Sequence, residues 1–420
     1  MASADALISS LRGISATAFS SESERIRARD ALLSALRAVQ SPWDLAWEHN
    51  WANPAINAAI SALIHAGVFT HWAAEASRLS DDACPITPAR LAALTGADEL
   101  LLRRLLRAVS GQHLITEVGL DTYARTAWAK TLASDPAFPS MYQGFYHELN
   151  SGMFRTLPAY LKSTGFRNPS DASDCNLQYW LGDPSTNLFR YIGTNPALTA
   201  HFNDAMECHS KYNLTPWVDV YPTDDVVISS SSSSSGFIKD DRPLVVDIGG
   251  GKGHDLKKFL DRHPSVPEGS LVLQDLPEIL KTGVVVVDAD GGEEGKQKAI
   301  RVQPHDFFTP QPEGCRGARL YFMHNVLHDW PDETARKILE TLAPAMEKGY
   351  SRLLIHESLV SSEKPLSRVT VSDMTMMACL GAAERSEKQW EDLVASAGLR
   401  VVKMWRTVES VETIVEVERV

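Results

Sequence analysis

The sequence lacks the features that would direct the protein to a membrane or to nucleic acid. It has no stretch of about 18 consecutive apolar residues, so we expect no membrane-spanning helix. It has no run of five Lys or Arg, and its 420 residues include 41 Lys and Arg against 53 Asp and Glu, a net charge of −12. An acidic chain without a basic cluster is a poor partner for nucleic acid.

Paired cysteines are also missing. The five cysteines lie far apart and no CxxC pair occurs, which argues against a structural zinc site. The first ten residues contain no Lys or Arg and no long apolar core, so they do not resemble a secretory signal peptide. We therefore expect a cytoplasmic protein with reduced thiols and without a bound metal.

The length and the composition indicate a folded protein with several domains. Hydrophobic residues make up 44% and charged residues 22%, both near globular averages, and a domain takes roughly 100–200 residues. We expect an N-terminal helical and winged-helix domain over 1–128 and a helical substrate-pocket or linker region over 129–228. A flexible Ser-rich loop over 229–236 and an α/β domain over 237–420 would follow.

The N-terminal part has two features that could serve association. Apolar residues at helical spacing in 1–40 would form an exposed stripe, and the tryptophans of 43–78 fit either helical core or a dimer interface. Residues 86–126 read as helix, turn, helix and hairpin, which is a winged-helix outline. Such outlines bind DNA in repressors, but the acidic balance of this chain favours another role.

From residue 242 onward, short apolar runs alternate with helical segments. This alternation predicts an α/β fold with a doubly wound, mostly parallel sheet. The last two runs leave no room for a helix between them, so they could form an antiparallel edge pair. The predicted strands are Leu244–Asp247, Leu271–Gln274, Ala299–Val302, Leu320–Met323, Leu353–His356, Val401–Trp405 and Thr413–Val417.

The first of these strands runs directly into a glycine-rich turn. The run Val245–Gly253 reads VVDIGGGKG, and a helix should follow it. Glycines let a ligand approach the backbone closely, and a helix N-terminus offers free N–H groups to a carboxylate or phosphate. The spacing matches neither a P-loop nor the dinucleotide GxGxxG pattern. A tight turn without a ligand stays open as the plainer interpretation.

Acidic residues follow the next two strands. Asp275 could accept both hydroxyls of a ribose. Asp306 could accept an adenine amino group, and Phe307 could cover the adenine face. A capping or ion-paired carboxylate is the alternative for either aspartate. The series of strand-end acids after a glycine loop favours a nucleoside ligand.

The fourth strand leads to a candidate base. His328 should lie in the loop at the carboxyl end of this strand, where open α/β sheets bind ligands, before a helix signalled by Asp329 and Pro331. A neutral imidazole there would be a suitable base near pH 7. His324, four residues earlier, could form a metal pair with it, and a purely structural His328 is the third possibility.

Together these motifs resemble the S-adenosylmethionine-dependent O-methyltransferases of the plant caffeic acid type, and more closely the fungal sterigmatocystin-type members of polyketide pathways. The resemblance covers nearly the whole chain. It implies a Rossmann-like class I methyltransferase domain with an N-terminal helical and winged-helix domain that forms a homodimer. The motifs that carry it are VVDIGGGKG, QDLP, HDFF, NVLHDWPDE and GAAERSEKQW.

The resemblance also implies an activity and a set of site residues. The cofactor would be S-adenosyl-L-methionine, and the acceptor a phenolic or enolic hydroxyl of an aromatic secondary metabolite. Related members of the fold catalyse pericyclic reactions without methyl transfer, which is the alternative. His328 would be the base, flanked by Glu357 and Glu384, although Glu384 could also be a solvated loop charge. Ser386 and Gln389 would start the next helix as a capping box.

The remaining assignments concern the two ligands. His324 stands where plant members carry a lysine directed at the cofactor. The expected cofactor-binding residues are Asp247, Gly249, Gly250, Gly251, Asp275, Leu276, Asp306, Phe307, His324 and Ser210. The expected substrate-binding residues are Met206, Phe145, Phe189, Asn325 and Met377, with core packing as the alternative for the aromatic ones.

Overall fold

The structure is a computed structural model that describes residues 3–212, 216–224, 242–281, 300–407 and 411–420. The chain divides into two compact units. The first comprises Met1–Gly152 and Phe189–Tyr212, and the second comprises Met153–Leu188 and Asn213–Val420. Both units therefore share the region predicted at 129–228. The predicted Ser-rich loop at 229–236 lies outside the described residues.

The first unit is mainly helical. Its elements are α1 (Ala4–Leu11), α2 (Glu22–Val39), α3 (Pro42–Trp47), α4 (Asn53–His65), α5 (Val68–Leu79), α6 (Pro88–Thr95), α7 (Glu99–Ser110), β1 (Thr116–Gly119), β2 (Thr122–Ala124), α8 (Ala127–Ser134) and α12 (Pro196–Lys211). Helices α9 (Ser151–Ser163) and α11 (Leu188–Gly193) lie where the chain passes between the units.

The helix, helix and hairpin order predicted for 86–126 is confirmed. Thr87 caps α6 by accepting from the Arg90 amide, and Asp98 caps α7 by accepting from the Leu101 amide. The strands β1 and β2 pair antiparallel. Buried Leu63, Trp72 and other apolar residues of α4 and α5 pack with α6 and α7 into one core.

No single described helix is long and apolar enough to cross a membrane. The segments Pro42–His65 and Val68–Leu79, bent by 57° relative to each other, together reach the necessary length and composition. Most of their apolar residues from Ala59 to Ala76 belong to the buried core just described, so packing accounts for the apolar character of that part of the pair.

The second unit contains the predicted sheet. Its elements are α10 (Asn176–Leu181), α13 (Trp217–Val220), β3 (Val245–Ile248), α14 (His254–Arg262), β4 (Leu271–Asp275), α15 (Pro277–Leu280), β5 (Ile300–Pro304), β6 (Leu320–His324), α16 (Asp332–Leu342), β7 (Arg352–Ser358), α17 (Ser367–Leu380), α18 (Glu387–Ser396), β8 (Leu399–Trp405) and β9 (Glu412–Arg419).

The strand order in the sheet is β5-β4-β3-β6-β7-β9-β8. Strands β3 to β7 are parallel, and β9 pairs antiparallel with both β7 and β8. The prediction of a mostly parallel α/β sheet with an antiparallel pair at its edge is therefore confirmed. The chain builds outward from β3 to β5 and then crosses to β6, so the order reverses between β3 and β6. Ligands bind at such a reversal in open α/β sheets.

Aromatic packing holds one face of this sheet. Trp217 of α13 stacks on Phe259 of α14 with ring centroids 5.6 Å apart and contacts Phe322 of β6 at 4.6 Å. All three side chains are buried. Helix α14, which follows the glycine-rich turn, is thereby fixed against the central strands.

We predict that Phe259→Ala lowers the free energy of unfolding by about 3–5 kcal/mol, because a buried ring leaves a cavity. Val402→Ala, on exposed edge strand β8, should change it by about 0.5 kcal/mol or less. Denaturant unfolding followed by far-UV circular dichroism measures both. An F259A midpoint equal to that of V402A would contradict this account of the core.

Candidate active site

The turn after β3 contains glycines at positions where a side chain would collide with neighbouring residues. A Cβ on Gly249 would lie 2.9 Å from Val326 Cγ2, and one on Gly250 would lie 2.4 Å from Asp247 Oδ2. The turn therefore packs against the loop after β6 and over the buried Asp247. Gly251 also has a left-handed backbone (φ +57°), and among the described residues no atom beyond its chain neighbours lies within 4 Å of its Cβ position. No described side chain therefore covers the turn at Gly251.

Asp275 joins this turn to the end of β4 through hydrogen bonds of its carboxylate. Its Oδ2 accepts from the Gly251 amide at 2.8 Å, and its Oδ1 accepts from the Leu276 amide at 2.7 Å. Burial raises the pKa of this carboxyl group. The carboxylate is therefore held in a fixed direction beside the glycine turn.

Asp306 and Phe307 follow β5. The Asp306 side chain is exposed and accepts from the Phe308 amide at 2.9 Å, so it caps its own turn. Phe307 is half-buried, with its ring edge-on to Trp330 at 6.1 Å, and its Cε1 lies 3.8 Å from the Cβ position of Gly249. The structure therefore brings Phe307 beside the glycine turn.

His328 lies on a short 3-10 turn, Leu327–Asp329, directly beyond β6. Its Nδ1 lies 3.0 Å from Glu384 Oε1 and 3.6 Å from Glu357 Oε2. On the other side of the ring, Nε2 lies 3.6 Å from Asp329 Oδ1. Glu384 thus hydrogen-bonds to Nδ1, with the charge of Glu357 close to the same nitrogen, and Nε2 is left for another partner.

Both glutamates are held in place by further hydrogen bonds. Glu357 Oε1 accepts from the amides of Val326 and Leu327 at 3.1 and 2.8 Å. Glu384 Oε1 also accepts from Ser372 Oγ at 2.6 Å. Glu384 is only 3% exposed, so its interpretation as a solvated loop charge is wrong.

The segment after Glu384 begins helix α18 as predicted. Ser386 and Gln389 form the expected capping box at the helix start. The amide of Glu384 donates to Asp373 Oδ1 of α17 at 3.0 Å. The position of the glutamate is therefore set by two helices.

The charges around His328 dominate its titration. Burial alone lowers the pKa of the imidazole, but the carboxylates of Glu357, Glu384 and Asp329 raise it from 6.5 to about 10. Burial raises the pKa of Glu357 and raises that of Asp329 to about 7. The flanking carboxylates therefore favour the imidazolium form, and the neutral ring that acts as a base is favoured only at higher pH than the sequence suggested.

His324 belongs to a separate cluster. Its Nδ1 lies 2.6 Å from Asp255 Oδ2 and its Nε2 lies 3.2 Å from Glu412 Oε2. Its ring stacks on that of His356 at 4.3 Å. Donor atoms of His324, His356 and Glu412 lie within 4.8 Å of one another, as do those of His328, Glu357 and Glu384. The two histidines therefore do not form the metal pair that their spacing left open.

Other residues assigned from the sequence lie elsewhere on the chain. Asn325 has a left-handed backbone (φ +52°), and its side-chain Nδ2 donates to Glu412 Oε1 at 3.4 Å. Met377 is half-buried on α17. The assigned residues of the first unit are Met206 and Ser210 on α12, Phe189 on α11, and Phe145 in the π-helical turn Phe145–Asn150. Their roles stay predictions.

Sequence reasoning missed several residues of these clusters. Asp255 could have been found as an acid in the first turn of the helix after the glycine motif, and Glu412 as a charge at the start of an apolar strand. Arg385 lies within the quoted GAAERSEKQW motif but received no role. Ser372 carried no recognisable signal.

Comparisons with known proteins show the family of this chain. The family model described as an O-methyltransferase domain matches residues 170–400. O-methyltransferase asqD of Emericella nidulans is 35% identical over 82% of this chain and 81% of its own length. The chain belongs to the O-methyltransferase domain family. O-methyltransferase mfmE of Annulohypoxylon moriforme is 32% identical over 98% of this chain and 95% of its own.

Solved structures extend the similarity to the whole fold of this O-methyltransferase. A structure titled "A Pericyclic Reaction enzyme" matches with a TM-score of 0.83 and 26% identity, covering 99% of this chain and 98% of that one. OxaC in complex with SAH and oxaline has a TM-score of 0.77 and 23% identity over 99% and 97% of the two chains. The fold is that of class I methyltransferases, and the cofactor is S-adenosylmethionine.

We predict that Glu384→Gln lowers the pKa of His328 from about 10, because it removes a negative charge that stabilises the imidazolium. NMR titration of the protein labelled at histidine ¹³Cε1, with the His328 signal assigned from a His328→Gln variant, measures this. Glu333→Gln, on the exposed first turn of α16, is the control and should leave the titration unchanged. An unshifted His328 in E384Q would contradict the assigned contact.

Proposed function

We propose that this O-methyltransferase methylates a phenolic or enolic hydroxyl of an aromatic, polyketide-like small molecule, with His328 as the general base. The observation that carries the proposal is one buried imidazole whose Nδ1 faces both Glu357 and Glu384. The imidazole stands at the reversal of strand order, beside the glycine turn after β3.

The residues around the glycine turn fit the cofactor. Gly249–Gly251 would lie against its methionine end, and the fixed carboxylate of Asp275 suits the ribose hydroxyls. Asp306 and Phe307 would meet the adenine. The proposed cofactor-binding residues also include Asp247, Gly250, Leu276, His324 and Ser210. When bound, S-adenosylmethionine supplies a methyl group on a positively charged sulfur.

The proposed role of His328 is to accept the proton of the acceptor hydroxyl. Because Nδ1 faces Glu384, the nitrogen available to the acceptor is Nε2. A phenol has a pKa of about 10, and the pKa of His328 is also about 10. The neutral form of His328 can therefore take the proton of the acceptor hydroxyl at Nε2 at little energetic cost. The nearby carboxylates stabilise the imidazolium that forms, as the acid does in a hydrolase triad.

A second candidate function is a pericyclic or cyclising reaction that does not consume the cofactor. The similarity to a pericyclic reaction enzyme over nearly the whole chain favours considering it. The two functions differ in their products, because only methyl transfer releases S-adenosylhomocysteine. The intact set of His328, Glu357 and Glu384 favours methyl transfer.

The test is label transfer from methyl-labelled S-adenosylmethionine to a panel of hydroxylated aromatic polyketides and flavonoids. We predict transfer by the wild type. His328→Ala should lower it about 10²–10⁴-fold, the usual contribution of a general base, with cofactor affinity within about twofold. His71→Gln, at an exposed position of α5, is the control. Nearly full activity in H328A would contradict the base assignment, and acceptor turnover without S-adenosylhomocysteine would favour the pericyclic alternative.

The proposal also includes a cytoplasmic homodimer formed through the N-terminal helices, with Met206, Phe145, Phe189, Asn325 and Met377 near the acceptor. Support for the dimer comes from an exposed aromatic cluster, Trp43, Trp47 and Trp51, whose side chains are 63%, 51% and 51% exposed. Trp47 and Trp51 stack at 5.2 Å. Contiguous exposed apolar surface of this kind marks association sites.

We predict a dimer in sedimentation velocity at micromolar concentration. Trp47→Glu should shift the distribution toward monomer, because it places a charge inside the proposed interface. Leu120→Glu alters the most exposed leucine of the first unit, at 91%, and serves as the control that keeps the dimer. A monomeric wild type would contradict the proposal.

A further inference from the structure

The turn that carries His328 is bound on both sides by buried charges. As described above, Glu357 accepts from the amides of Val326 and Leu327. Arg385 donates to the carbonyl groups of the same segment: Nη1 to Leu327 O at 2.9 Å and Nη2 to Trp330 O at 2.7 Å. One side chain therefore binds the amide donors before His328, and another binds the carbonyl acceptors on either side of it.

Arg385 is itself fixed by its surroundings. It is 1% exposed, and its guanidinium lies over the ring of Trp390 at 5.1 Å. Its carbonyl accepts from the Val360 amide at 3.1 Å, which ties its backbone to the chain just beyond β7. Its Nε donates to Asp332 Oδ1 at 2.8 Å, at the first residue of α16. The side chain therefore connects α16 and α18 to the His328 turn, and its backbone is joined to the segment after β7.

We propose that Arg385 is a positioning residue that holds the backbone of His328 while the adjacent Glu384 holds its ring. This inference rests on the proposed role of His328 as the base. Because the two residues are consecutive, one segment of chain sets both the location of the turn and the direction of the imidazole. Arg385 acts through these contacts and does not touch the reacting atoms.

The arrangement requires arginine specifically. Two carbonyl oxygens and one carboxylate are bound by a planar fork of N–H donors, which the single ammonium of lysine cannot reproduce. Removing the fork leaves the carbonyl of Leu327 without its charged donor in a buried setting. The turn would relax, and a displacement of about 1 Å in a reacting group can lower a rate about a hundredfold.

The experiment compares full-length wild type, Arg385→Met and Arg385→Lys. His328 is titrated by ¹³Cε1 NMR, cofactor affinity is measured by calorimetry, and kcat and KM are measured with an acceptor found in the label-transfer panel. Arg336→Met, an exposed arginine of α16 that does not contact the His328 turn in the described residues, is the control.

We expect the pKa of His328 to fall toward its ordinary value in R385M, because the loosened ring separates from Glu357 and Glu384. Loss of the positive charge of Arg385 would by itself raise that pKa. A lower pKa of His328 would therefore show that the ring has moved away from Glu357 and Glu384. The groups facing His328 are Glu357 from β7, Glu384 from the loop before α18, and Asp329 from its own turn. R385K keeps the charge and should also show a fall, and it serves as the folded variant if R385M does not fold.

We expect kcat to fall about a hundredfold in R385M, with cofactor affinity within about twofold and the R336M control like wild type. An unchanged or raised pKa of His328 in the arginine variants would overturn the proposal. This holds even if their unfolding midpoints decrease, because lower stability without a change at His328 would mean that Arg385 only stabilises the fold. If the wild type transfers no methyl group, the proposed function fails, while the NMR titration still decides the role of Arg385.

Discussion

The structure depends on burying one imidazole together with two carboxylates. Removing charges from water is unfavourable unless they are paired and hydrogen-bonded. Here Glu357 binds two amides of the His328 turn, Glu384 binds Ser372, and Arg385 binds the carbonyls of the turn. Much of the polar structure around the ends of β6 and β7 can be understood as compensation for that burial.

Sheet topology determines where this cluster lies. Because the strand order reverses between β3 and β6, the turns after these two strands meet, and a Cβ on Gly249 would lie 2.9 Å from Val326. The nucleoside-binding candidates and the proposed base therefore share one edge of the sheet. The aromatic packing of Trp217, Phe259 and Phe322 holds α14 on this frame, which keeps the glycine turn in register with the His328 turn.

Local patterns were sufficient to predict the strands, the glycine turn and the capping box at Ser386, because each depends on residues close together in sequence. The sequence also located His328, Glu357 and Glu384 through motif resemblance. It could not predict that His324 lies between Asp255 and Glu412, which are far from it along the chain. The raised pKa of His328 was missed for the same reason, since it results from burial and from charges on other elements.

The central claim is that carboxylates tune His328 as the base for methyl transfer. It is tested most directly by the pH dependence of kcat/KM for one acceptor with wild type and Glu384→Gln. The acceptor titrates identically in both reactions, so a difference between the profiles belongs to the enzyme. We predict that kcat/KM of the wild type rises with pH toward pH 10. In E384Q the rise in kcat/KM should occur at lower pH and end at a smaller plateau. Superimposable profiles would contradict it.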